Sequence, residues 1–387
     1  MRHLARLARR ASLARLVRLV RLVRLVRLVC SARPIRPSRL AHPSRLSRPA
    51  RFGIAALAAG LATSGCSAGD AKPAAEQSAA SAHGAASFAS CGRQVSFAQP
   101  PGRAVALDQT STETLLELGL QDRMAGTANL KTKIPAQYEA AYAKVPVIAP
   151  KIATGEQLRA ATPDFVVAAS TDLFTKDRAG TREELDALKV PTFVSAVDCP
   201  QQNPAGTTPF ELLFSDYENL GKVFGAEDRA AWLVAAQRAA VAKAGEGAAK
   251  VPGGADRPTV VYLYSVFNGM PYVAGRTGLP SEMSRIVGAK NAFDDIGEDW
   301  PEVTWEEVAK RDPDFIVIGD LSERGRPGDS AAEKRAAMTA HPVVSRLAAV
   351  RDGRILQVPG IELDPSVRSV HALGLLADGM KDLGYAR

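Results

Sequence analysis

Gly155-Glu156-Gln157-Leu158-Arg159-Ala160-Ala161-Thr162-Pro163-Asp164-Phe165-Val166-Val167 is echoed 150 residues later by Trp305-Glu306-Glu307-Val308-Ala309-Lys310-Arg311-Asp312-Pro313-Asp314-Phe315-Ile316-Val317. Each copy reads as a glutamate, one short helix, Pro-Asp and an apolar strand. Proline cannot continue a helix, and the β-branched and aromatic residues beyond it favour extended structure. The offset is far too long for a solenoid repeat, so the echo predicts two similar lobes with a cleft between them.

Working outward, Ala104-Val105-Ala106-Leu107 is a buried-strand run. Polar Asp108-Gln109-Thr110 follows it, and then a helical pattern carrying Leu115, Leu116 and Leu118. The same strand signal returns at Phe165–Ala168, Thr192–Val194, Val260–Leu263 and Phe315–Ile318. Alternation of this kind predicts an α/β protein with largely parallel sheets. Between the two groups, Leu213, Tyr217, Leu220 and Phe224 keep helical spacing, Gly225 breaks the pattern and Glu227 resumes it. The expected fold is therefore two Rossmann-like lobes joined by a long helical linker. Its boundaries are a leader over 1–65, a tether over 66–87, lobes over 88–208 and 251–387, and the linker over 209–250.

Net charge is +8, but 15 of the 49 basic side chains lie in residues 1–65, which hold no acid. The remainder is net negative, which disfavours a nucleic-acid function. The triplet Arg-Leu-Val repeated from Arg15 to Val29 is low complexity. An arginine every third residue is costly in a bilayer, and the period drifts around a helix. The repeat reads either as sequence upstream of a translation start near Leu40 or Leu46, or as a basic helix on a membrane surface. A secretory signal follows, with basic Arg45, Arg48 and Arg51, an apolar run from Phe52 to Ala62, and small residues before Cys66. Small residues ending in a cysteine resemble a bacterial lipobox, which makes Cys66 a candidate lipidation site. Thr63 departs from the usual leucine, so an ordinary signal peptide with a chance cysteine is the alternative. Cys91 and Cys199 remain, and an even pair in an exported domain predicts a disulfide, with two-cysteine metal ligation as the alternative.

The chain resembles the substrate-binding proteins of ABC importers for ferric siderophores and cobalamin, of class III periplasmic-binding-protein architecture. The resemblance runs over residues 91 to 384. It is carried by Thr112-Glu113-Thr114-Leu115-Leu116-Glu117-Leu118-Gly119-Leu120, Thr162-Pro163-Asp164-Phe165, Tyr217-Glu218-Asn219-Leu220-Gly221-Lys222-Val223-Phe224-Gly225, Gly288-Ala289-Lys290-Asn291, Trp300-Pro301-Glu302-Val303-Thr304-Trp305-Glu306 and Pro365-Ser366-Val367-Arg368. It implies a bridging helix with little hinge opening, a lipid anchor on the outer membrane face, a monomer, and delivery of cargo to a permease and its ATPase. It also implies that one acid per lobe docks on the permease, and Glu156 and Glu306 hold the matching positions. A glutamate in a first helical turn is also favoured simply by the helix dipole.

Ligand residues in open α/β sheets come from loops at the carboxyl ends of strands. That selects Gln109 and Thr110, Ser170 and Thr171, Phe267 and Asn268, Arg276, Trp300 and Arg368. Arg276 precedes a predicted helix and, as a loop cation, faces either an anion or water. Arg368 either grips an anionic ferric complex, caps a helix or pairs with Asp364. Trp300 either stacks on the ligand or belongs to the core. Past the tether only His341 and His371 occur, without metal-ligand spacing, so a bare-ion binder is disfavoured and no cofactor is expected. Beyond residue 87 there is no Gly-x-Ser-x-Gly elbow, no phosphate loop and no metal triad, which disfavours the rival reading of an exported hydrolase. A ferric siderophore is the first expectation for cargo, with cobalamin, haem or a deazaflavin-cofactor precursor as alternatives.

Overall fold

A computed structural model of the chain describes residues 86–386. The leader, Cys66 and nearly all of the tether lie outside the described residues. Strands β1 (Ala86–Ser90) and β2 (Arg93–Phe97) form an antiparallel hairpin whose turn residues Cys91 and Gly92 adopt positive φ. A disulfide joins Cys91 to Cys199. Buried Arg182 fixes the hairpin further by donating to the carbonyls of Ser90, Cys91 and Thr192.

The first lobe holds β3 (Ala104–Ala106), β4 (Met124–Ala128), β5 (Val147–Ala149), β6 (Phe165–Ala168) and β7 (Thr192–Val194) in the parallel order β5-β4-β3-β6-β7. In the second, β8 (Thr259–Phe267) carries β9 (Met270–Val273) as an antiparallel hairpin partner. It also lies in the parallel order β10-β8-β11-β12 with β10 (Lys290–Asn291), β11 (Phe315–Asp320) and β12 (Ile355–Pro359). The echoed strands β6 and β11 are the counterparts in this layout, each paired to the first strand of its own parallel sheet. Both are buried, which is why each reads as a continuous apolar run.

The echoed Pro-Asp has a job in both lobes. Asp164 accepts the amide N–H groups of Gly102 and Arg103 at the entrance to β3, and Asp314 accepts that of Thr259 at the start of β8. A carboxylate therefore fixes the register of neighbouring parallel strands where the ladder begins. The echoed helices match too: Thr154 caps Gly155–Ala160 and Thr304 caps Trp305–Arg311, each hydroxyl accepting the N–H three residues on.

Helices Pro209–Phe224 and Glu227–Gly245 follow the first lobe, separated by Gly225 in the left-handed conformation that ends a helix. They pack between the sheets, so one hydrophobic cluster runs from Phe165 through Tyr217 and Leu220 to Tyr262 and Phe315. The amide of Phe210 donates to Glu282 of the second lobe, while Asp216 accepts from Ser195 Oγ and the Ala196 amide of the first. The first linker helix is thus pinned to both lobes. Among the described residues, no helix is long and apolar enough to cross a membrane.

Asp216 is fully enclosed, and burial pushes its carboxyl up to about 7 against the pull of those two hydrogen bonds. The folded state then holds a proton that the unfolded chain releases near pH 4, so this group's contribution to stability falls as pH rises from about 4 to about 7. Asp216→Asn removes that slope. Urea unfolding at pH 5 and pH 7 is expected to show a smaller loss in the variant than in the parent, and parallel losses would refute it.

Candidate functional site

Loops at the carboxyl ends of the strands converge on a cleft of about 550 Å³ between the lobes. Asp108, Asn129, Ser170 and Asp198 reach it from the first lobe, and Asp299, Trp300 and Asp364 from the second. Asp108 caps helix Gln109–Glu117, accepting from the Ser111 amide, the Thr110 hydroxyl and the amide of Ala169 after β6. This single carboxylate joins two strand-end loops and is used up in doing so.

Lys131 follows β4 and crosses to the other lobe, where its Nζ lies 2.7 Å from Asp364 Oδ2 and 3.1 Å from the Tyr264 hydroxyl. Burial disfavours the ammonium, but Asp364 and Tyr264 more than offset this and raise the pKa. Burial likewise holds Tyr264 up at about 12, with Asp364 adding to it, so the phenol stays protonated and donates to that carboxylate. Tyr264 stacks on Trp300 with centroids 4.3 Å apart, which leaves the indole partly open to the cleft.

The lining carries six carboxylates and one ammonium. Lys131 is committed to Asp364. Among the described residues, Asp198 accepts only from the amide and hydroxyl of Thr171. No donor among the described residues reaches the Asp299 carboxylate, which sits over Gly278, where a β-carbon would fall 2.0 Å from Oδ1. Crowding by protein, with the charges of Asp364 and Asp198, pushes Asp299 up to about 7, opposed by Lys131. The residue keeps a solvent-open face, so screening tempers these repulsions.

A family model described as periplasmic binding protein matches residues 105–361. The chain belongs to the periplasmic binding protein family. A periplasmic binding protein of Veillonella parvula is 30% identical, with 76% of this chain and 97% of that one covered and a TM-score of 0.66. A protein of the ABC-type Fe3+-hydroxamate transport system of Saccharomonospora viridis is 26% identical over 76% and 98% of the two chains, with a TM-score of 0.63. A vitamin B12-binding protein of Pectobacterium atrosepticum is 34% identical over 53 residues, or 14% of this chain. That match spans only 19% of the curated relative's length. The family is one of binding proteins rather than enzymes, and ligand sites occur preferentially in clefts at domain interfaces such as this one.

Within this binding protein, Gln109, Thr110, Ser170 and Trp300 line the cleft. Gln109 has no capacity left for a ligand: its oxygen accepts from the Lys131 and Thr132 amides, and its nitrogen donates to Glu113 and Thr132. It pins the crossing segment instead. Phe267 is a correction, since it stands 54% exposed at the β8–β9 turn, away from the cleft, with Asn268 in the turn itself. Arg276 is exposed and does not line the cleft either; its neighbour Thr277 does, and its guanidinium lies beside Gly297.

Arg368 is the largest correction. Its Nε lies 2.9 Å from Glu113 Oε2 in the opposite lobe and its Nη1 3.7 Å from Glu362 Oε1, so it neither lines the cleft nor pairs with Asp364. Its Nη2 has no hydrogen-bond partner among the described residues, and the residue lines a separate pocket beside Thr132 and Asp320. Glu113 is wholly buried; burial pushes its carboxyl up, while Arg368 and Gln109 pull it down. The residues that sequence reasoning missed are Lys131, Asp198, Asp299 and Asp364. All four follow strands, β4, β7, β10 and β12 in turn, and a rule that points to strand-end loops could not select among their residues.

Truncating one partner of a buried ion pair strands the other. Arg368→Leu is expected to lower the unfolding free energy by about 3–5 kcal/mol, and Glu113→Leu with Arg368→Leu to recover most of it. Denaturant titration measures both variants. Equal losses would mean that Arg368 acts through something other than Glu113.

Proposed function

We propose that this chain is the extracytoplasmic receptor of an ABC importer, held to the outer face of the cell membrane through lipid on Cys66, which captures a ferric siderophore and hands it to a permease and its ATPase. The cleft carries this reading. It is formed by strand-end loops of two lobes, lies between them and has an aromatic wall at Trp300, the arrangement suited to gripping a compact organic complex from two sides. The likeness to the Saccharomonospora viridis protein supports iron chelates as cargo. A corrinoid is the second reading and draws on the short match to the vitamin B12-binding protein.

Glu156 and Glu306 serve in this reading as docking charges. Both are exposed at the second position of matching helices, on different lobes. Charges fixed on separate rigid bodies report how those bodies sit relative to each other, and complementary pockets on a permease would read that spacing. Glu156→Ala combined with Glu306→Ala is expected to abolish uptake of radiolabelled iron chelate by cells while the purified variant binds the chelate as the parent does. Uptake at parental rates would remove the docking role, and lost affinity would place the two glutamates in ligand binding.

A further inference from the structure

We propose that the cleft selects cargo by positive charge, taking a cationic ferric chelate whose charged arm lies against Trp300 and the carboxylates of Asp299 and Asp198, in preference to neutral or anionic chelates. The inference rests on the receptor reading above and deepens it. Six carboxylates face one ammonium across the cleft, and that ammonium is spent on Asp364. Neither candidate arginine lines the cleft: Arg368 is paired with Glu113 and lies against Glu362, and the exposed Arg276 stays at the rim beside Gly297.

The acids are also distributed in a way that serves a ligand. Asp108 is consumed as a helix cap and Asp364 as an ion-pair partner. Asp299 and Asp198 have no ion-pair partner among the described residues, Lys131 acting on Asp299 only from a distance, and the two acids repel one another across the lobes. Trp300, backed by Tyr264, presents beside them the aromatic surface on which an organic cation is attracted. An incoming cation therefore meets charge that the fold has left uncompensated, whereas a tricatecholate would add three negative charges to the same space.

The test is a matched pair of ligands on the purified protein by calorimetry and tryptophan fluorescence. The ferric complex of a linear trihydroxamate ending in a free amine carries one positive charge at pH 7.5, and its N-acetylated form carries none. A ferric tricatecholate is the anionic arm, and cobalamin the corrinoid arm. The amine form is expected to bind about ten-fold more tightly than the acetylated form, with the tricatecholate weakest. Asp299→Asn, or Asp198→Asn as a second variant should the first fail to fold, is expected to narrow that ratio to about two-fold. Equal binding of the matched pair, tighter binding of the tricatecholate, or a ratio unmoved by either folded variant overturns charge selection and leaves the receptor of iron chelates standing. Silence with every iron chelate and saturation with cobalamin overturns the cargo reading and this inference with it.

Discussion

A carboxylate that cannot reach water sets the relation between the two lobes. Glu113, on the first helix of the first lobe, is wholly buried, and its counter-ion Arg368 comes from the second. A charge in that position must be paired or protonated, so separating the lobes would strand it. From Glu113 a chain of contacts runs along the cleft floor. Gln109 donates to Glu113 and accepts from the crossing segment; Lys131 on that segment meets Asp364 and Tyr264; Tyr264 supports Trp300. The position of the aromatic wall thus depends on an ion pair that does not itself line the cleft.

Hydrophobic burial acts in the same direction. The cluster through Phe165, Tyr217 and Phe315 is continuous across the linker helices, so wide opening would expose apolar surface at roughly 25 cal/mol per Å². Helix Pro209–Phe224 hydrogen-bonds to Glu282 on one side and through Asp216 to Ser195 on the other. A hinge gives way where few contacts cross, and here both polar and apolar contacts cross. Small changes of lobe orientation are what this construction permits.

How far the sequence could be read follows from the same physics. The echoed segments were legible because a strand buried on both faces must be continuously apolar, and because Asp164 and Asp314 each do the same work at a strand entrance. Strand β4, Met124–Ala128, was not legible: Gly126 and Thr127 weaken its strand signal, yet Gly126 is required because a β-carbon there would fall 2.5 Å from Ile148 Cγ2. Missing β4 also hid Lys131 beyond it. Arg368 was misread because its partner lies 255 residues away, and no local pattern shows that distance closing. Asp198, Asp299 and Asp364 each look like ordinary solvated loop acids until the fold brings them to one space.

The contrast between Glu113 and Asp299 bears on what the cleft is for. Where a carboxylate serves the fold, this protein supplies a guanidinium, an amide and complete burial. Asp299 has no hydrogen-bond donor or ion-pair partner among the described residues, and crowding by protein, with the like charges of Asp364 and Asp198 adding to it, pushes its carboxyl up to about 7. Repulsion that the fold retains without local compensation is the expected mark of a functional surface, because a bound partner is what relieves it. In this chain the two lobes and the helical bridge set rigidity and reach. The field in the cleft is set by the strand-end loops, where a few side chains can change it without disturbing the core that holds the lobes together.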